Sequence, residues 1–333
     1  MNLLQETPFS LLELAPVRLG ETAADTLKGT LAFARHADQH GVHRFWLAEH
    51  HNMRGIASSA TSVLIGAVAG CTERMRVGSG GIMLPNHPPL VVAEQFGTLD
   101  ALYPGRIDLG LGRAPGTDPL TSRALRRDDM RAEQFPQEVE QLQKLLGPVD
   151  PGARVHAVPG EGSQVDIWIL GSSLFSAHLA AAKSLPYAFA GHFSPRYARD
   201  ALELYHANFT ASEAMPEPYA ILCLPLIAAE SDEAARFIGT SSQQRILALL
   251  RGDPLWLRPP VESMDGLWNP RERAGVEDFL GLQVSGGPQT LKSKLSKIIE
   301  TYPVNELMFT NDIYDQQQRQ DAVSILMSLK DLG

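Results

Sequence analysis

The chain has 333 residues, a hydrophobic fraction of 44% and a formal net charge of −9. That length is long for one doubly wound domain and comfortable for a (β/α)8 barrel with insertions, and the composition excludes a disordered chain. The acidic balance argues against a nucleic-acid partner, whose phosphates demand a basic face, and no apolar run reaches the ~18 residues of a membrane span.

Cys71 and Cys223 lie in apolar surroundings and read as buried, reduced thiols. The start, Met1 to Glu6, lacks the basic residues and long apolar core of a signal peptide. A cytoplasmic protein is expected, with neither nucleic acid nor membrane among its partners.

The elements follow in order. Phe9–Leu14 reads as strand one, stopped by Ala15-Pro16. Thr22 and Asp25 have capping-box spacing, Leu27, Leu31 and Ala34 follow at helical spacing, and Gly41 sits where a helix ends. Arg44–His50 is strand two, 58–70 a helix rich in small residues, and Met75–Leu84 strand three. A helix over 88–102 has proline near its start and Tyr103-Pro104-Gly105 as its stop, before strand four from Arg106. Residues 114–129 read as a long loop, 133–146 as a helix, and 147–164 as a second insertion with room for a small hairpin.

Strand five covers Asp166–Leu170, with a helix from about Ser176 to Lys183, strand six over Tyr187–Gly191 and a helix over 195–208. Ile221–Ala228 is strand seven, and a helix starts after Ser231. Residues 251–275 are irregular and rich in proline and tryptophan, as a lid or binding loop would be. Leu291, Leu295 and Ile298 mark a helix, Glu306–Thr310 strand eight, and Ala322 to Leu329 the last helix. Eight strands alternating with helices, without a composition break, predict one (β/α)8 TIM barrel over 1–333, with insertions after strands four and seven.

The chemistry gathers between Phe45 and Arg113, where strands end in polar and glycine residues as they do when a parallel barrel builds a site. Gly78-Ser79-Gly80-Gly81 interrupts strand three. Close approach of a flat ligand and a β-bulge are both open readings of it, and a dinucleotide fingerprint is not. Gly171-Ser172-Ser173 with Ser176 lies between a strand and a helix. It reads either as a phosphate cradle, with Arg113 supplying charge, or as a plain serine cap. His50 and His51 are adjacent and point to opposite faces, so they do not chelate together, and His50 at a strand end is a candidate general base. Glu49, His87 and Asp108 raise a metal-dependent hydrolase, but strand one ends in Leu14-Ala15-Pro16 and offers no ligand, so no metal is expected.

Several long runs resemble the bacterial-luciferase-like flavin monooxygenases, in an enterobacterial-type subgroup. They are LLELAPV at 11–17, RFWLAEHHNMRGIASSATSVLIG at 44–66, RVGSGGIMLPNHPPLVVAEQFGTLDALYPGRIDLGLGRAPGTD at 76–118 and ILGSSLFSAHLAA at 169–181. The resemblance implies a luciferase-like TIM barrel that uses reduced FMN and O2 on a small organic substrate, with a separate flavin reductase as a partner. It implies a non-proline cis peptide at Gly80–Gly81 beneath the flavin, its phosphate on Ser172, Ser173, Ser176 and Arg113, and His50 as the catalytic histidine; Asn86 and His87 are candidate neighbours of His50. It also implies a homodimer through the helices at 58–70 and 88–102. Luciferases proper carry a carboxylate where this chain has Ser172 and a reactive cysteine where it has Gly112, so light emission is not expected. The deazaflavin F420 is the alternative cofactor, and a non-catalytic flavin-binding protein the alternative function.

Overall fold

Short runs of β-branched, leucine and aromatic residues ended by glycine or polar residues become strands, and the amphipathic runs between them become helices. The computed structural model describes residues 3–125, 132–163 and 165–330. A short helix α1 (Leu3–Glu6) leads into β1 (Phe9–Glu13), α2 (Ala23–Gln39), β2 (Arg44–Leu47), α3 (Thr61–Ala69), β3 (Arg76–Met83), α4 (Pro89–Leu102) and β4 (Ile107–Gly112). The chain continues through α5 (Pro119–Ala124), α6 (Phe135–Leu146), β5 (Asp166–Gly171), α7 (Leu174–Ala182), β6 (Tyr187–Phe189), α8 (Ala198–Asn208), β7 (Ala220–Ala228) and α9 (Asp232–Arg251). It closes with α10 (Pro270–Phe279), β8 (Val284–Gly286), α11 (Pro288–Thr301), β9 (Glu306–Thr310) and α12 (Gln316–Ser328).

Strands β1 to β7 pair in sequence order, all parallel, and β9 lies between β7 and β1. The ring is the closed eight-stranded TIM barrel that the alternation predicts. Its register sets Leu11 beside Phe45, Trp46 beside Gly78 and Gly110 beside Trp168.

Four local expectations need correction. Strand β8 extends the far half of β7 outside the ring, and its three residues, one of them Gly286, are too few to show a period. The 114–129 loop contains α5, capped by Asp118, whose side chain accepts from Leu120 and Thr121 N–H; the loop's last four residues lie outside the described ones. The described part of 147–164 is built of turns around a cis Val158–Pro159 bond, not a hairpin. The irregular segment after α9 ends at Asn269, because Asn269 and Glu272 form a capping box that starts α10.

The Thr22–Asp25 capping box forms as its spacing predicts, and Gly41 takes the positive φ of a helix stop. The buried stripe of α2 is rotated from the expected one and includes Thr26, Thr30, Phe33, Ala34 and Ala37. Thr30 belongs there because its hydroxyl donates to the buried Glu13 carboxylate at 3.0 Å, which also pairs with Arg319.

The larger core fills the space between barrel and helices, and a smaller one inside the barrel includes Leu12, Trp46, Trp168, Ile221 and Met308. The N-terminal end of the barrel is plugged by charge. Arg44 pairs with Asp108 at 2.9 Å and with Glu306 at 3.1 Å, Arg76 pairs with Asp108 at 2.5 Å, and Trp46 Nε1–H donates to Asp108 at 2.9 Å. Ser10 Oγ and Tyr219 OH donate to Glu306. A buried charge is tolerable only when paired and hydrogen-bonded, and these are.

Candidate active site

The opposite end, where the strands' C-termini converge, opens into a cavity of about 420 Å3. Seven residues singled out for the site line it: His50, Gly80, Gly81, Arg113, Ser172, Ser173 and Ser176. Most of the wall is apolar, with Leu12, Trp46, Met83, Leu170, Phe175 and Met308 prominent.

The Gly80–Gly81 peptide bond is cis. The β3–β4 register shifts between Ser79 and Ile82, so the bulge reading of the glycine run is what the barrel displays. A Cβ on Gly81 would stand 2.7 Å from Gly110 O, and one on Gly80 2.5 Å from Leu12 Cδ1. Glycine is required at 81, where the clash is with backbone of the neighbouring strand, whereas at 80 the end of the Leu12 side chain would have to move.

Helix α7 starts two residues earlier than its periodicity suggests, at Leu174, and Ser173 is its N-cap residue. The Ser173 hydroxyl makes no capping bond, so the plain serine-cap reading does not describe this turn. Ser172 and Ser173 stand at the helix start with its first N–H groups, and the exposed Arg113 guanidinium stacks over Phe175 at 4.1 Å. Ser176 is different. It is buried, donates to Ser173 O at 2.8 Å and shares a hydrogen bond with Tyr187 OH at 3.2 Å, so it shapes the turn from within. A Cβ on Gly171 would lie 2.1 Å from Ser176 Oγ, which makes glycine obligatory there.

His50 follows β2, and its N–H donates to Ser58 O at 3.0 Å. Its Nδ1 is shielded from solvent and has no hydrogen-bond partner. Burial, reinforced by the Arg245 charge, lowers its pKa to about 4. The resting side chain is therefore a neutral imidazole, and it does not titrate near neutrality as an exposed histidine would.

Asn86 and His87 are held by the residue that precedes His50. They turn to Glu49, whose buried carboxylate accepts from His87 Nε2 at 2.9 Å, His51 Nε2 at 2.8 Å, Asn86 Nδ2 at 3.4 Å and Met83 N–H at 3.1 Å. These bonds hold the Glu49 pKa at about 2 against the opposing effect of burial. The Glu49, His51 and His87 ligand atoms lie within 4.8 Å of one another, a spacing that would also suit a metal ion. The carboxylate ties the end of β2 to the turn after β3. Asn86 Nδ2–H to Pro115 O at 3.0 Å and His51 N–H to Gly116 O at 3.2 Å extend the tie to the loop after Arg113.

Among the further polar residues that line the cavity, an imidazole and two charged side chains went unnoticed in the sequence: His192, Arg245 and Asp312. His192 and Asp312 follow β6 and β9 and obey the same strand-end logic that picked out His50. Arg245 sits within α9, where nothing in the pattern marks it. The irregular segment after α9 closes one wall with Leu255, whose N–H donates to Arg54 O at 2.8 Å, while Leu257 N–H donates to Val17 O at 2.9 Å.

The family model described as luciferase-like monooxygenase matches residues 7–250. The chain belongs to the luciferase-like monooxygenase family. It is 50% identical to the protein YvbT of Bacillus subtilis over 98% of this chain and 97% of that one. It is 47% identical to a luciferase-like monooxygenase of Escherichia coli K12, over 97% of each. The crystal structure of apo-MsnO8 superposes with a TM-score of 0.87 at 33% identity, covering 98% of this chain and 99% of that one. Two more distant structures share the fold. The oxygenating constituent of 3,6-diketocamphane monooxygenase of Pseudomonas putida, solved with FMN, has a TM-score of 0.72 at 17% identity, covering 96% of each chain. An F420-dependent secondary alcohol dehydrogenase has a TM-score of 0.69 at 13% identity, covering 96% of this chain and 97% of that one.

Proposed function

We propose that the protein is an FMN-dependent monooxygenase acting on a small organic substrate. The observation that carries the reading is one cavity lined by two chemically different groups of residues. The first is the start of α7 without a side-chain cap, Ser172, Ser173 and the Arg113 cation; the second is the His50 imidazole. A phosphate fits the first, because helix N–H groups, hydroxyls and a guanidinium all favour an anion. A flat aromatic ring fits the apolar wall between them, over the bulge at Gly81.

Reduced FMN, supplied by a separate reductase, would bring the electrons that activate O2. The chain's own part is to bind, orient and shield. Arg113, Ser172 and Ser173 hold the phosphate, and Ser176 fixes the turn that presents them. Trp46, Met83 and Leu170 exclude water. His50, kept neutral by its surroundings, holds or relays a proton on its imidazole.

The chain is read as a cytoplasmic protein with free Cys71 and Cys223 thiols. No described helix is long and apolar enough to cross a membrane. It is also read as a homodimer through α3 and α4, where Val63, Val91 and Leu102 are exposed. Light scattering that finds only monomer removes the dimer. Fluorescence titration with FMN and with F420 tests the cofactor: saturable binding of FMN and none of F420 is expected, and the reverse order replaces this reading with a deazaflavin enzyme.

A further inference from the structure

A second group of convergent side chains stands behind the cavity wall. Glu49, His51 and His87 do not line the cavity, but Met83, whose N–H donates to Glu49 Oε2 at 3.1 Å, does. Both imidazoles bring Nε2 to one carboxylate oxygen, Glu49 Oε1, at 2.8 and 2.9 Å, and the Asn86 amide reaches the same oxygen at 3.4 Å. Three partners crowd an oxygen that has about two lone-pair sites.

The three ligand atoms lie within 4.8 Å of one another. Around a tetrahedral zinc ion, ligands bonded at ~2.0–2.1 Å stand roughly 3.3 Å apart, so each contact needs to open by about half an ångström. The imidazoles can make that move, because their side chains are 17% and 30% exposed and meet solvent, whereas Glu49 at 1% forms the floor. The backbones that carry the rings are already fixed. His51 N–H donates to Gly116 O at 3.2 Å, the Thr117 hydroxyl donates to His51 O at 2.8 Å, and His87 N–H donates to Leu84 O at 2.9 Å. Asn86, anchored on Pro115 O at 3.0 Å, stands beside the carboxylate as an outer partner that orients a ligand does.

We infer that Glu49, His51 and His87 form a binding site for a divalent transition-metal ion of the zinc type. Two imidazoles and one carboxylate select such an ion over Mg2+ or Ca2+, which take shells of oxygen, and they leave a position open to water. The ion takes the Nε2 lone pair of each ring, whose proton then sits on Nδ1. It clamps the ends of β2 and β3 and, through Gly116 and Thr117, the loop after Arg113. The expectation of no metal looked for ligands on β1. They come instead from the segments after β2 and β3, while Asp108 lies in the charged plug at the other end of the barrel.

The test uses the whole chain, stripped of metal with EDTA and titrated with Co2+, whose visible absorption reports its ligands, and then with Zn2+ as competitor. A band that saturates at about one Co2+ per chain and is bleached by Zn2+ is expected, with no displacement by Mg2+. His51→Gln and His87→Gln keep an amide donor for Glu49, and so preserve a simple hydrogen-bonded tie, but lose the imidazole. Each should weaken Co2+ binding by at least about tenfold, while the metal-free melting temperature stays near that of the parent. The stacked His36–His40 pair on α2 is the rival site for an adventitious ion, and His40→Ala should leave the band in place. X-ray absorption of the Zn2+-loaded parent should show imidazole and oxygen ligands together, a readout that depends on no variant folding. No band, equal binding in both glutamine variants, loss of the band in His40→Ala, or a zinc shell without imidazole would each overturn the proposal.

Discussion

The two ends of the barrel use buried polar groups in opposite ways. At the N-terminal end Arg44, Arg76, Asp108 and Glu306 hold one another, and Ser10, Trp46 and Tyr219 fill remaining acceptor positions. At the C-terminal end His50 and His192 each keep a shielded nitrogen without a partner. A satisfied network fixes a fold and has nothing left to offer a ligand; a shielded nitrogen left unpaired costs stability without that return. Both ends are lined by the same strands, so stability and chemistry are separated along the strand direction, as is usual in this fold.

The contrast can be broken from either side. Asp108→Ala strips partners from Arg44 and Arg76 and leaves Trp46 Nε1–H unpaired, and should cost about 3–5 kcal/mol of unfolding free energy in a urea titration. A loss under about 1 kcal/mol would show that the plug is not structural. His50→Ala should do the reverse. Its unfolding midpoint should stay close to that of the parent, while turnover with reduced FMN falls by about a hundredfold.

The pH dependence sharpens the comparison. The folded pKa values of His50 and His192, about 4, lie below the ordinary 6.5, so the unfolded chain binds protons first as pH falls. The stability these neutral rings contribute is complete above pH 6.5 and is lost as pH drops through about 4. Glu49, with its pKa lowered from 4.5 to about 2, adds a second loss that begins only below pH 4.5. Denaturation curves between pH 7 and pH 5 should therefore flatten in a His50→Gln, His192→Gln double variant; an unchanged slope would mean that the rings are not held neutral. The smallest effect is expected at the exposed phosphate end, where Arg113→Ala should weaken FMN binding by about tenfold without moving the unfolding midpoint. Unchanged affinity in a fluorescence titration would remove Arg113 from the site.

The barrel was legible because its strands are short apolar runs and its helices carry clear stops such as Gly41 and Tyr103-Pro104-Gly105. The three-residue β8 was not, since so short a strand shows no alternation. In the site, His50 and the Ser172–Ser176 turn stand at strand ends and could be read from position. His192 and Asp312 stand at strand ends too, and the same rule applied to β6 and β9 would have found them. Arg245 is a different matter, because a buried arginine in a helix looks like any other helical arginine until its Asp312 partner, 67 residues away, is brought beside it. The bonds that Asn86 and His87 make were hidden for a related reason. Closeness in sequence to the catalytic stretch does not say which side of a turn a side chain takes, and both turn to Glu49.

The most direct measurement is an oxygen pulse. Photoreduced FMN is loaded anaerobically, oxygen is added in a stopped-flow spectrometer, and the return of oxidised-flavin absorbance is followed for the parent protein and for His50→Ala. A time course that differs from free reduced FMN, and that moves back toward it in His50→Ala, is the predicted result. Protein and free flavin reoxidising along the same curve, with His50→Ala indistinguishable from the parent, would contradict a flavin oxygenase built on this cavity.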